Sequence, residues 1–194
     1  MTAPPLTASG LTLQRGERVL ARDLSFTVIP GELLLIRGPN GAGKTTLLLT
    51  LAGILRPATG LVTAGLLHLL GHLSAVKSRL TVRENLAFWC ALNNGDAGHI
   101  SPALETVGLL HLESVEAGHL SAGQTRRLAI ARLLVAHRDL WLLDEPASSL
   151  DADGELLVQT LLAAHLARGG SAVAAVHHDL HLPPPAVVQS LVLG

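Results

Sequence analysis

The apolar and polar positions predict two strands at the start of the chain, Leu11–Leu13 and Leu24–Ile29, the second alternating with period two. Between them lies the polar turn Gln14-Arg15-Gly16-Glu17-Arg18, so the pair is expected to form an antiparallel platform. The preceding residues, Met1 to Ser9 with Pro4-Pro5, read as a frayed start. Leu33-Leu34-Leu35-Ile36 is apolar without alternation and is bounded by Gly31 and Gly38, the pattern of a strand buried on both faces. A helix is expected from Thr46 through Ala52, continuing until Pro57 forbids further turns. From Thr59 to Gly71 the apolar pieces are short and broken by Gly60 and Gly65, which leaves room for little more than a hairpin.

Thr81-Val82-Arg83-Glu84 has capping-box spacing and predicts a helix through Leu86, Trp89 and Leu92 that ends in the loop Asn93–Gly98. A second helix is expected from Ser101-Pro102, with proline at the favoured first position and Leu104, Val107 and Leu110 at helical spacing. Ser121-Ala122-Gly123-Gln124 repeats the capping-box spacing at the start of a third. Two more buried strands follow, Leu140–Leu143 and Ala172–Val176, with a helix through Leu156, Leu157 and Leu161 between them. Apolar strands separated by helices predict an α/β fold around a parallel sheet. We read the chain as one domain, 1–194, with the antiparallel platform at its N-terminus and a helical insert over about 74–118.

The polar ends of these strands carry the candidate chemistry. Gly38-Pro39-Asn40-Gly41-Ala42-Gly43-Lys44-Thr45 has the G-x-x-x-x-G-K-[ST] spacing between a strand and a helix and so resembles the phosphate cradle of P-loop NTPases, a resemblance that implies a RecA-like parallel-sheet core. Glycines let successive backbone N–H groups converge on phosphate oxygens, and the helix N-terminus adds partial positive charge. Lys44 is placed to reach the β- and γ-phosphates of ATP, and the Thr45 hydroxyl to ligate Mg²⁺. The remaining loop residues and Thr46 complete the nucleotide-binding set. Asp144, directly after an apolar strand, supplies the hard oxygen that a phosphate-bound Mg²⁺ needs, held through the second shell of a metal that keeps several waters. Glu145 is the candidate general base for the attacking water, against the alternative of a solvated loop carboxylate. His177, at the end of the third strand, is expected to donate to the γ-phosphate. A zinc site at His177, His178 and His181 is the competing reading, disfavoured by ten scattered histidines with neither an HExxH motif nor accompanying cysteines.

Composition limits the partners. A net charge of −1 and the lack of any Lys/Arg run argue against nucleic acid. One cysteine, Cys90, excludes an internal disulfide, and its setting in Ala87-Phe88-Trp89-Cys90-Ala91-Leu92 reads as small core. The apolar fraction of 48% is high, yet no apolar run is long enough to span a bilayer and the first residues lack the pattern of a signal peptide. Two explanations of that fraction stand equally: apolar surface hidden against another copy or a membrane partner, and a bias toward Ala and Leu.

Taken in order, Gly38 to Thr45, Leu120-Ser121-Ala122-Gly123-Gln124, Leu142-Leu143-Asp144-Glu145-Pro146, Ser148-Ser149-Leu150-Asp151 and His177 resemble the Walker A, signature, Walker B, D-loop and switch-histidine motifs of ABC-transporter ATPase subunits. The resemblance implies ATP and Mg²⁺ as ligands and a head-to-tail dimer of such domains, in which Ser121 and Gly123 of one chain cap the ATP held by Lys44 of the other. It also implies integral-membrane transporter subunits as partners, at the cytoplasmic face of the bacterial inner membrane. Arg15-Gly16-Glu17-Arg18, Gly71-His72 with Lys77, Leu80 through Trp89 and Leu120 through Arg132 look more narrowly like haem-exporter ATP-binding subunits of cytochrome c maturation.

Three positions depart from that pattern. Leu73 stands where the family has the Q-loop glutamine, the segment between Gly60 and Leu70 is shorter than the family's, and Arg15 replaces the aromatic that stacks on adenine. A guanidinium can take the stacking role. Nothing in these motifs contacts cargo, so an ATPase for another cargo and a regulatory nucleotide-binding module with impaired coupling stand as alternatives. Phe88 and Trp89 are open between a groove for a membrane subunit's helix and simple core.

Overall fold

Leu6 and Ala8 are buried at 1% and 3% exposure, so the chain is ordered well before the expected first strand. In this computed structural model, which describes residues 3–176, 180, 182 and 186–194, β1 (Leu6–Arg15) and β2 (Arg18–Val28) form one long antiparallel hairpin. With Met1 and Thr2 outside the described residues, the expectation of a frayed start, Met1–Ser9, is corrected from Leu6 onward. Its alternation was hidden because Gly10 interrupts it, in a left-handed conformation (φ 59°) beside a shift of register between Ala8 and Leu11.

The chain divides into two compact units, one of Met1–Gly71, Arg138–Pro146 and Gln159–Gly194, the other of His72–His137 and Ala147–Val158. The first unit holds two sheets. One is antiparallel, in the order β2-β1-β4, with β4 at Thr59–Thr63. The other is parallel, in the order β5-β6-β7-β3-β8, built from β3 (Glu32–Arg37), β5 (Leu67–Leu70), β6 (Leu140–Asp144), β7 (Ser171–Ala175) and β8 (Val187–Val192). One apolar core joins Leu11, Leu13 and Val28 of the antiparallel sheet to Leu34, Ile36, Leu142 and Val173 of the parallel sheet, and to Leu47, Leu48 and Leu51 of helix α1 (Lys44–Leu51). Every residue of β6 and β7 is buried, as expected for strands covered on both faces.

Thr59 to Gly71 is not a hairpin. β4 pairs with β1 and β5 with β6, so the short apolar pieces belong to two different sheets, and the Gly65 region is the crossing between them. The first helix also ends earlier than Pro57. Gly53, at φ 71°, takes the left-handed position after Ala52, with Gly53 N–H bonded to the Thr50 carbonyl and Ile54 N–H to the Leu49 carbonyl, a Schellman stop that glycine favours. β8 was not anticipated; it runs parallel to β3 as an edge strand whose residues, Val187-Val188-Gln189-Ser190-Leu191-Val192, do not alternate between apolar and polar.

In the second unit, α2 (Val82–Leu92) and α4 (Ala122–Ala131) start at the expected capping boxes, with reciprocal bonds between Thr81 and Glu84 and between Ser121 and Gln124. α3 spans Ile100–Thr106, so Pro102 is its third residue rather than its first, and Asp96 caps a short 3-10 turn ahead of it. Leu104 and Val107 are buried as expected, while Leu110 lies in a separate 3-10 turn and is exposed. Cys90 is buried, its thiol donates to the Val135 carbonyl, and burial pushes its pKa up, in keeping with a core role. Helix α5 (Ala152–Ala167) leads on to β7.

Next to β7, the His165 ring stacks on Trp141 at 4.0 Å and 9°, and its Nε2 is 3.1 Å from the Ser171 carbonyl it can donate to. A Cβ at Gly170 would collide with that ring, which cannot swing aside without losing both contacts. Gly170→Ala should therefore lower the unfolding free energy in urea by about 1–3 kcal/mol. Adding His165→Ala should cost less in that background than in the native one, a coupling that a double-mutant cycle reads directly.

Candidate active site

The phosphate loop grows out of the end of β3. At Gly38 (φ 142°) any Cβ would run into the Leu193 carbonyl, so backbone packing requires glycine there. The loop closes by the bond from Ala42 N–H to the Pro39 carbonyl (3.2 Å) and enters α1 through Gly43, a left-handed N-cap at φ 104°. No side chain caps that helix, so the N–H groups of its first turn lack a side-chain acceptor and face the loop with the helix dipole behind them. Lys44 is 7% exposed and lies along its own loop, Nζ donating to the carbonyls of Gly38 (2.7 Å) and Pro39 (3.2 Å).

Thr45 Oγ1 donates to Asp144 Oδ2 at 2.7 Å, a bond between residues 99 apart in sequence. Asp144 ends β6 and is 3% exposed. A hydroxyl and a carboxylate are both hard oxygen donors, the type that Mg²⁺ takes, so the donor set fits that ion. Next in sequence, Glu145 has a left-handed backbone (φ 47°), unusual for a residue with a side chain, and its N–H donates to the Ala175 carbonyl (3.0 Å) of β7. A cavity of about 320 Å³ is lined by Arg15, Arg18, Leu20, Asn40, Gly41, Gly43, Lys44, Thr45, Thr46 and Glu145. The structure thus gathers the loop, Arg15, Asp144 and Glu145 in one unit. His177 lies outside the described residues.

The signature and D-loop residues belong to the other unit. Ser121 and Ala122 are exposed at the start of α4; the Ser121 hydroxyl accepts from Gln124 N–H, and the Gln124 side chain accepts from Ser121 N–H. A Cβ on Gly123 would lie 3.2 Å from the Ser149 carbonyl, and Ser149 is itself left-handed at φ 65°. Leu150 follows it, half-buried. Asp151 then acts as the N-cap of α5, accepting from Gly154 N–H (2.9 Å) and from Arg127 Nη2 (3.1 Å). Sequence reasoning did not single out Arg127, and a partner 24 residues away leaves no local signal.

Arg18 and Leu20 were missed as cavity residues although they stand two apart on β2, the spacing that puts side chains on one face of a strand. In the second unit Trp89 is half-buried, with the Arg132 guanidinium 3.6 Å from its ring centroid, while Phe88 is 40% exposed with Lys77 Nζ 4.5 Å away. Burial and the neighbouring Arg126 lower the Arg132 pKa to about 10, so it stays charged at neutral pH. Leu73 is 83% exposed.

The chain is similar to known proteins in sequence and in fold. The ABC transporter family model matches residues 21–148. A Rhizobium meliloti protein named cytochrome c biogenesis ATP-binding export protein CcmA is 46% identical over 190 residues, covering 90% of this chain and 92% of the relative. A protein of the same name from Ruegeria pomeroyi is 48% identical over 179 residues, covering 91% and 87%. Among solved structures, a putative ABC transporter ATP-binding protein from Pyrococcus furiosus aligns with a TM-score of 0.84 at 25% identity, over 97% of this chain and 98% of that one.

The Asp151 carboxylate carries a pH signature. Its hydrogen bond from Gly154 N–H, and secondarily that from Arg127, hold its pKa below the ordinary 3.8. A lowered carboxylate pKa contributes stability that is present above the unfolded value and lost as pH falls through the folded one. Asp151→Ala should be less stable than the native chain at pH 7, and the gap in thermal midpoint should narrow as pH is taken below 3.8.

Proposed function

This chain belongs to the ABC transporter family, and we propose that it is the ATP-binding and ATP-hydrolysing subunit of an exporter, with haem as the cargo in c-type cytochrome biogenesis. The observation that carries the hydrolase reading is the meeting of Thr45 with Asp144 beside Lys44 and Glu145 at one cavity. The cargo reading rests on relatives named for cytochrome c biogenesis and export.

In this reading the N–H groups of the loop and of the first turn of α1 hold the β- and γ-phosphates, and Lys44 turns from the Gly38 and Pro39 carbonyls to donate to them. Mg²⁺, which the Thr45 hydroxyl would hold directly and Asp144 through the metal's waters, would supply charge neutralisation at the phosphate oxygens. Glu145 accepts a proton from the attacking water as its oxygen bonds to the γ-phosphorus; the bond from that phosphorus to the bridging oxygen breaks, leaving ADP and phosphate. The left-handed turn at Glu145 sends the chain away from β6 while the residue itself lines the cavity. Arg15 stacks on the adenine, and His177 donates to the γ-phosphate.

Ser121, Ala122, Gly123 and Gln124, with Ser149, Leu150 and Asp151 behind them, complete the site of a second chain in a head-to-tail dimer. The exposure of Ser121 and Ala122 supports that use. Among the described residues no helix is long and apolar enough to cross a membrane, and we assign the chain to the cytoplasmic face of the bacterial inner membrane, held there by integral-membrane subunits. Phe88, exposed on α2, is the proposed anchor for their cytoplasmic helix. Purification from detergent-solubilised membranes should bring down small integral-membrane proteins. Cells lacking the chain should lose covalently haem-bearing c-type cytochromes and keep b-type haem proteins; retention of the c-type proteins, where no second maturation route exists, would remove the haem assignment.

Glu145→Gln should keep ATP binding and stall hydrolysis, giving an ATP-dependent dimer on sizing columns, whereas Lys44→Ala should weaken binding. A proton acceptor lost from the transition state lowers turnover by about 10²–10⁴-fold. Normal turnover by the Glu145 variant would take that residue out of the mechanism.

The exposed Leu73 favours a second reading, a nucleotide-binding module with impaired coupling, because an apolar side chain can ligate neither Mg²⁺ nor its waters. Leu73→Gln should raise partner-stimulated ATPase with little change in nucleotide affinity. If stimulated turnover does not move, position 73 carries no coupling role.

A further inference from the structure

The tip of the β1–β2 hairpin sets two like charges face to face. Arg15 and Arg18 are direct cross-strand partners, a placement that destabilises a hairpin through repulsion. Both are exposed, both line the cavity of the phosphate loop, and neither side chain makes an ion pair or hydrogen bond among the described residues. Two guanidinium groups without a protein acceptor, side by side on the wall of this cavity, are placed to receive an anion.

The position along β2 narrows which anion. Leu20 lies against the phosphate loop, its Cβ 3.2 Å from where a Cβ of Gly43 would stand. Arg18 is two residues further toward the hairpin tip on the same side of the strand, about 7 Å from Leu20. It therefore stands beyond the groups that hold the β- and γ-phosphates, on the side of the cavity that Arg15 shares. Resting on the nucleotide reading above, we propose that Arg18 is a nucleotide-binding residue whose guanidinium donates to the α-phosphate, and that the phosphate charge relieves its repulsion with Arg15. The planar fork of arginine suits phosphate oxygens. Arg15 keeps its plane for the base.

The full chain and its Arg18→Gln variant are compared by calorimetric titration with Mg²⁺-ATP, Mg²⁺-ADP and inorganic pyrophosphate, and by thermal unfolding without nucleotide. Arg22→Gln, on the same strand but off the cavity, removes the same charge as a control. Arg18→Gln should weaken ATP and ADP alike by about tenfold to a hundredfold, the effect of one lost charge-assisted hydrogen bond. Pyrophosphate binding should stay unchanged, because the loop and Lys44 hold it. Without nucleotide the variant should melt at the native temperature or above it, since one of two opposed charges is gone; a residue with a merely structural role would melt lower.

Native nucleotide affinity in Arg18→Gln, an equal loss in Arg22→Gln, or an equal loss for pyrophosphate would each overturn the assignment. Lys44→Ala separates this failure from that of the nucleotide reading itself. Native binding that is lost in Lys44→Ala but untouched in Arg18→Gln removes Arg18 alone, whereas binding indifferent to Lys44→Ala removes both.

Discussion

The hydrogen bond from Thr45 to Asp144 is the constraint on which the site depends, because one end sits on α1, the helix that follows β3, and the other ends β6, and those two strands are not neighbours. β7 lies between β3 and β6, and Ile36, Ala175 and Asp144 are in register across the three. The middle strand reads Ser171-Ala172-Val173-Ala174-Ala175, and its final small side chain joins the core beneath α1. A small residue there lets the helix that follows β3 approach the end of β6. The same register gives the Glu145 N–H its acceptor on Ala175, so one residue of β7 serves both acidic positions. Loop, candidate metal-binding oxygens and candidate base are thereby fixed by strand order rather than by any local sequence.

Backbone strain gathers at the same place. Glu145 and Ser149 are two of the few non-glycine residues with positive φ, and both fall in the stretch after β6 that carries the candidate chemistry. Ordinary turns would use glycine or asparagine at such positions. A carboxylate at 145 is held in that backbone by the bond to Ala175, and side-chain chemistry at the cavity is the use that fits its persistence.

What could be read in advance follows physical range. The strand-to-helix succession around Gly38–Thr45, the two capping boxes and the fully apolar strands Leu33–Ile36 and Leu140–Leu143 carry their signals within a few residues, and the structure bears these elements out. Leu6 and Ala8 were misjudged because Gly10 breaks their period, and Thr59–Gly71 because nothing local says that β4 and β5 choose partners in different sheets. β8 gave no alternation to find. In the site, motif spacing led to Lys44, Thr45, Asp144 and Glu145. Arg18 and Leu20 escaped, since membership of a cavity wall appears only once the hairpin is folded beside the loop. The Arg127–Asp151 pair is equally a product of the fold.

The central claim, that Thr45 and Asp144 hold the metal of a bound nucleotide, is tested most directly with Mn²⁺ in place of Mg²⁺. Electron paramagnetic resonance of the full chain with Mn²⁺ and ATP should detect a bound complex with ³¹P couplings, weakened in Thr45→Val and again in Asp144→Asn. A complex that forms with native affinity and native couplings in both variants would contradict the account.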